Sequence, residues 1–212
     1  MESTSKIPVS VYAEMTPNPA VLKFVANKRL IEADSLEFKN IEEAKSSPLA
    51  TRLFHFPFVK EIFVSGNYLA ITKYDIVEWE DVTLEIREMV RDFVASGEQV
   101  VNEIAFSETS DAEQVHSVSE TPSAHPEEKA PEDYLEIEKK IVSLLDEYVK
   151  PAVEQDGGNI KFLQYDEGTV KVLLQGACSG CPSSTMTLKQ GIQNLLNQML
   201  PGQINQVVAV NG

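Results

Sequence analysis

The chain has two cysteines, Cys178 and Cys181, and they stand two residues apart in "GACSGCPSS" (176–184). Thiols at C-x-x-C spacing serve metals, iron–sulfur clusters and thiol–disulfide exchange. Closed zinc and iron–sulfur sites ordinarily take four thiolates, so a chain with two holds half a site. A symmetric dimer completes it, each subunit giving its pair across a two-fold axis. A group held in that way is open to solvent and loses half its ligands when the subunits part. That suits release better than storage.

The pair falls where a strand gives way to a helix, with Pro182 placed in the helix's first turn. Unpaired N–H groups and the positive end of the helix dipole favour thiolate over thiol there. Gly176 and Gly180 let the backbone approach a bound group, and Ser179, Ser183, Ser184 and Thr185 offer hydrogen bonds to sulfur. A shared cluster and a shared zinc ion both fit such an anion-favouring site. A thioredoxin-like redox pair has the same local order, but no tryptophan precedes the cysteines and three short strands are few for that fold. Two inert buried cysteines are a poor match to the glycine flanks. On spacing alone these readings stay open.

The elements that must position the pair are legible. Asp133 is placed to cap a helix in which Ile137, Ile141, Leu144, Leu145, Tyr148 and Val149 share a face, and Pro151 should disturb its end. "DGG" (156–158) is a turn. Ile160 and Phe162, then Val170, Val172 and Leu174, alternate along two strands joined through "DEG" (166–168). After the cysteines, Leu188, Ile192, Leu195, Leu196 and Met199 stripe a second helix that "PG" (201–202) ends, and "VVAV" (207–210) supplies a third strand. The order α-β-β-α-β describes a small helix-covered sheet.

The first half is mixed. Strands are expected at Val9–Tyr12, Leu22–Val25, Phe58–Val64 and Tyr68–Thr72, and helices over 47–54 and 81–95. Between the halves, residues 96–133 carry ten acids against one lysine, −9 of the chain's net −15. That segment is too polar to offset the entropy of ordering, at least after Phe106. The expectation is therefore an α/β (α+β) protein of two small mixed domains, 1–95 and 134–212, joined by an acidic flexible linker over 96–133.

A net charge of −15 tells against nucleic acid and against an anionic membrane surface as partners. The opening residues show no apolar signal region and no Arg-rich amphipathic pattern, and two close cysteines suit a reducing compartment. The expected location is cytoplasmic. No Ser/His/Asp order, P-loop or dinucleotide fingerprint supports an enzyme.

Residues 151–201, with the "DGG" turn, the "GACSGCPSS" loop, the "MTLK" helix start and the "GI" after it, resemble the C-terminal NifU domain of Nfu-type iron–sulfur proteins. "TPNP" (16–19), "LKF" (22–24), "SPLA" (47–50), "LF" (53–54) and Trp79 resemble the Nfu N-terminal domain. The resemblance implies a carrier that binds a labile [4Fe–4S] cluster, with a [2Fe–2S] form left open, between two subunits. Cys178 and Cys181 would be its ligands. It would take clusters from upstream assembly machinery and pass them to apo-proteins. The alternative from another class is a thiol–disulfide oxidoreductase using the same pair.

Other residues weigh less. Asp156, Gly157 and Gly158 read as a turn that could also frame a bound group, and Met186 could shield one edge of it. His55 has no second ligand beside it in sequence. Phe54, Phe56 and Phe58 read as core, and Lys189 as a solvent-facing lysine.

Overall fold

The computed structural model describes residues 8–33, 35–102, 135–178 and 182–211. Two sheets divide it. The first contains β1 (Val11–Met15), β2 (Val21–Ala26), β3 (Leu36–Phe38), β4 (Val59–Ser65) and β5 (Tyr68–Lys73). It is antiparallel throughout, in the order β1-β2-β5-β4-β3. The β4/β5 hairpin turns at Gly66–Asn67, with Ser65 paired to Tyr68.

Strand alternation sorts this sheet's two faces. Leu22, Phe24, Ala26, Ile62, Val64, Leu69 and Ile71 enter the main core with α1 (Pro48–Leu53) and α2 (Trp79–Ser96). Helix α2 contributes Trp79, Val82, Ile86, Val90 and Phe93 to it. Ser47 caps α1, accepting from the Ala50 N–H at 3.1 Å while its hydroxyl donates to the Val100 carbonyl at 2.6 Å. The opposite sheet face is not left to water: every residue of β2 is buried, as happens when both faces are covered.

The acidic segment does not begin where its composition first turns polar. Val100 is buried in the first core, and the Asn102 N–H donates to the Ser46 carbonyl at 2.8 Å. The apolar Val100–Val101 pair holds residues 98–102 against the helices, so the chain is still packed there. Residues 103–133, the rest of the expected linker, lie outside the described residues.

The second unit opens with α3 (Glu136–Leu144), a π turn (Leu145–Val149) and α4 (Lys150–Gln155), one helical run. Asp133, the expected cap, lies outside the described residues; the Leu135 N–H instead donates to the Glu138 carboxylate at 2.8 Å. Pro151 has no N–H for the regular ladder, and the wide turn forms just ahead of it. Ile141, Leu145, Val149 and Val153 are consequently the buried positions, at steps of four, and Tyr148 faces out.

Strands β6 (Gly158–Asp166) and β7 (Thr169–Gly176) form the expected hairpin. Helix α5 (Pro182–Met199) then returns the chain so that β8 (Gln206–Asn211) runs parallel to β7, giving the order β6-β7-β8. Ile160, Phe162, Val170, Val172, Leu174, Ile192, Leu196 and Val207 form this unit's core. Met199, expected in the stripe, is largely exposed. The class is α+β, and no helix among the described residues is long and apolar enough to cross a membrane.

Candidate cysteine site

Three chain ends converge at Cys178: the close of β7, the start of β6 and the end of α4. Gly176 pairs with Gly158 across the hairpin, and residues 177–178 turn away toward α5. The Gly157 N–H donates to the Glu154 carbonyl at 3.1 Å, closing α4 with a left-handed φ of 81°. A Cβ on Gly158 would lie 2.8 Å from the Cys178 sulfur and 2.7 Å from the Gln175 carbonyl oxygen. The "DGG" segment is the expected turn, fitted closely to the chain's own cysteine. Gly157 ends the helix, and Gly158 leaves room for sulfur.

Cys178 itself is only 6% exposed and packs with the second core. Its carbonyl accepts the Thr185 hydroxyl at 2.9 Å, tying the turn to the first turns of α5. Burial, with the Asp156 carboxylate second, pushes the thiol up to about 11. That reverses the expectation of a thiolate favoured by the helix dipole. The sulfur sits on the core side of the turn, where loss of water opposes the charged form. Cys181, Ser179 and Gly180 lie outside the described residues.

The first unit supplies a wall behind this turn that sequence patterns do not announce. Ala177 packs into a small cluster with Val21, Val25, Phe63, Tyr68 and Ala70, the outer face of the first sheet. The Tyr68 hydroxyl donates to the Gly158 carbonyl at 2.8 Å, and the Gly176 N–H donates to a Glu37 carboxylate oxygen at 3.3 Å. Burial raises the Glu37 carboxyl above its ordinary value, opposed by that N–H and then by Lys39. Lys23 is buried, with its ammonium donating to the Glu154 carbonyl at 2.9 Å and facing the Glu14 carboxylate at 3.3 Å. One signal could have found Lys23: a lysine in the middle of an otherwise apolar strand.

Among the described residues no three His, Cys, Asp or Glu side chains gather closely enough to hold a metal. His55 is exposed on the first unit, its Nδ1 2.7 Å from the Thr51 carbonyl. Phe58 is core, while Phe54 and Phe56 pack against it half-buried. Met186, one turn into α5, is 64% exposed. Lys189 is half-buried.

Two α+β units, one of them carrying the chain's only thiols in a strand-to-helix loop, define a class of two-unit proteins with a C-x-x-C pair. Residues 11–97 match the family described as "Scaffold protein Nfu/NifU N terminal", and residues 141–208 match the "NifU-like domain". The human protein named "NFU1 iron-sulfur cluster scaffold homolog, mitochondrial" is 34% identical over 192 residues, 90% of this chain and 68% of that protein. "NifU-like protein 4, mitochondrial" of Arabidopsis thaliana is 35% identical over 188 residues, 88% of this chain and 61% of its own length. A solution structure of a NifU-like protein from Saccharomyces cerevisiae shares 25% identity over 49% of this chain and 92% of that one, with a TM-score of 0.42. The chain belongs to the Nfu/NifU scaffold family. It spans 60% and 61% of the length of the first relatives it matches.

These relatives correct the expected cytoplasmic location: those compared are named as mitochondrial proteins and point to that compartment. Compartment is set by targeting segments and not by folded cores, so neither the charge balance nor the cysteine count carried it.

Proposed function

We propose that this protein is an iron–sulfur cluster carrier. Two copies bring Cys178 and Cys181 to one labile [4Fe–4S] cluster and hand it to apo-proteins, after loading by upstream assembly machinery. The observation that carries the reading is the placement of the chain's only two thiols in the β7–α5 loop of a NifU-like domain. The cluster is cargo. Each cysteine contributes a thiolate to iron, and in delivery the carrier's iron–thiolate bonds break as the recipient's thiolates take their places, the cluster itself passing unchanged. The protein acts as a carrier and not as an enzyme, and its acidity keeps nucleic acid and anionic membranes from competing as partners.

One feature supports this reading and another sets a condition on loading. A C-x-x-C chain needs a second copy to reach four thiolates, and a site split between subunits can be dismantled by separating them. The raised Cys178 thiol means that iron must displace a proton on binding, which couples loading to pH and to exposure of the sulfur.

Anaerobic reconstitution with iron and sulfide tests it. The expected result is about four irons per dimer, broad visible absorption, and a doubled mass in solution, all lost in Cys178→Ala and in Cys181→Ala. A metal-free monomer that reduces insulin disulfides would overturn the carrier in favour of the oxidoreductase. One zinc per dimer recovered from cells would overturn it in favour of a zinc-bridged dimer.

A further inference from the structure

Among the described residues, contacts between the two units gather on two short segments, 154–159 and 175–177, which are the strand ends and helix end that carry Cys178. Lys23 donates to the Glu154 and Gln155 carbonyls at 2.9 and 3.3 Å, and Tyr68 to the Gly158 carbonyl at 2.8 Å. Ser35 donates to the Gln175 side-chain oxygen at 3.0 Å and accepts from the Asn159 side-chain amide at 3.1 Å. Glu37 accepts from the Gly176 N–H, and Ala177 is buried among Val21, Val25, Phe63, Tyr68 and Ala70. A Cβ on Gly176 would lie 2.9 Å from the Phe63 ring. Four polar side chains of the first unit, together with the apolar seat of Ala177, thus grip the root of the cysteine loop from one side, while Cys178, the next residue along, is turned into the second core.

Ala177 and Cys178 are consecutive, so their side chains share one turn. While Ala177 is held in the cluster on the first sheet, the turn keeps the Cys178 sulfur on the core side. Reaching an iron ion shared with a second copy requires that sulfur to leave the core, which rotates the turn and pulls Ala177 out of its seat. The grip combines hydrogen bonds from four polar side chains with one apolar seat for Ala177, and relative motion is the default for contacts between domains of one chain. Any cargo that binds the turned-out sulfur shifts the balance toward the released arrangement by its differential affinity.

We propose that the outer face of the first sheet is an intramolecular clamp on the cysteine loop, holding Cys178 inward until cargo or a second copy draws the loop out. The clamp rests on the carrier reading for its purpose but not for its existence. It makes the first unit a gate on loading, set by Lys23, Ser35, Glu37, Tyr68 and the Ala177 seat.

The test uses the full chain in a Cys181→Ser background, so that Cys178 is the one thiol present. Tyr68→Phe and Ser35→Ala each remove hydrogen bonds to the loop root and change little else, and circular dichroism melts check that each folds. Cys178 alkylation by iodoacetamide is followed by mass, and small-angle scattering reports the separation of the units. The clamp predicts alkylation faster by roughly fivefold in either variant, the factor that losing one net hydrogen bond gives an equilibrium, more in the double variant, together with a larger radius of gyration. Unchanged alkylation and scattering in the folded double variant overturns it. The same substitutions with both cysteines present are then loaded with iron and sulfide. Faster alkylation with no cluster in any variant upholds the clamp while defeating the carrier reading. Equal alkylation with full loading throughout defeats the clamp and leaves the carrier standing.

Discussion

Gly176 and Phe63, from different sheets and 113 positions apart in the chain, are in such close approach that a methyl group between them would have no room. A Cβ on Gly176 would sit 2.9 Å from the ring and 2.7 Å from the Gly157 carbonyl oxygen, and the residue's φ of 66° is one that side chains resist. Gly176→Ala should therefore destabilise the protein by about 2 kcal/mol, from left-handed strain and overpacking together. Phe63→Leu should cost less in the Gly176→Ala background than alone, since it relieves one of the two collisions. Urea unfolding of the two single variants and the double variant reads that coupling, and strict additivity would show that the ring and the glycine do not meet.

Ser47 ties two distant parts of the first unit. Its hydroxyl is fully buried, caps α1 and donates to the Val100 carbonyl at 2.6 Å. Ser47→Ala removes the cap and leaves that carbonyl without its hydroxyl donor, a loss of about 1–3 kcal/mol. The effect should be local before it is global. Hydrogen exchange at the Asn102 amide, which donates to Ser46, should quicken more than exchange in β5. Equal change at both places would mean that residues 98–102 do not depend on the cap.

What the sequence made legible was set by range. Hairpins with turn chemistry at their tips, β4/β5 and β6/β7, and the striped helices α2 and α5 follow from local periodicity and punctuation. The three residues of β3 are too few to show any period and exist because β4 offers them a partner. Lys23 stands mid-strand among apolar residues and is buried because a second unit covers that face. The chemistry of the C-x-x-C loop could be read from residue types and spacing. The direction of Cys178 could not, since it depends on how one turn seats Ala177 against a sheet more than a hundred residues away in sequence.

Cys178 offers a direct measure of that direction. Its thiol is pushed from an ordinary 9.0 up to about 11 by burial. In the Cys181→Ser protein, alkylation at neutral pH should be well over tenfold slower than in urea and should climb with each pH unit toward that value. The folded state holds this proton more tightly than the unfolded chain, so stability should also fall as pH rises from 9 to about 11. An alkylation midpoint near neutrality would instead place the sulfur outside, under the influence of the helix N-terminus.

Glu37 makes the clamp region sensitive to mild acid. Its carboxyl is raised above the ordinary 4.5, first by burial, while the Gly176 N–H it accepts works in the opposite direction. A raised carboxyl means that the folded protein keeps a proton which the unfolded chain has already released, so stability falls as pH rises from 4.5 through the folded value. Above that window a partly desolvated charge is held in place at a cost. Glu37→Gln keeps an oxygen for the Gly176 N–H and removes the charge. The variant should melt at or above the temperature of the native chain at neutral pH, and the gap should close as pH is lowered past the raised value. Paired melts from pH 4 to 8 decide it. A variant less stable at neutral pH, with a gap that widens upward, would mean that the carboxylate's charge on the Gly176 N–H outweighs its desolvation and that this contact is held by the ionised form.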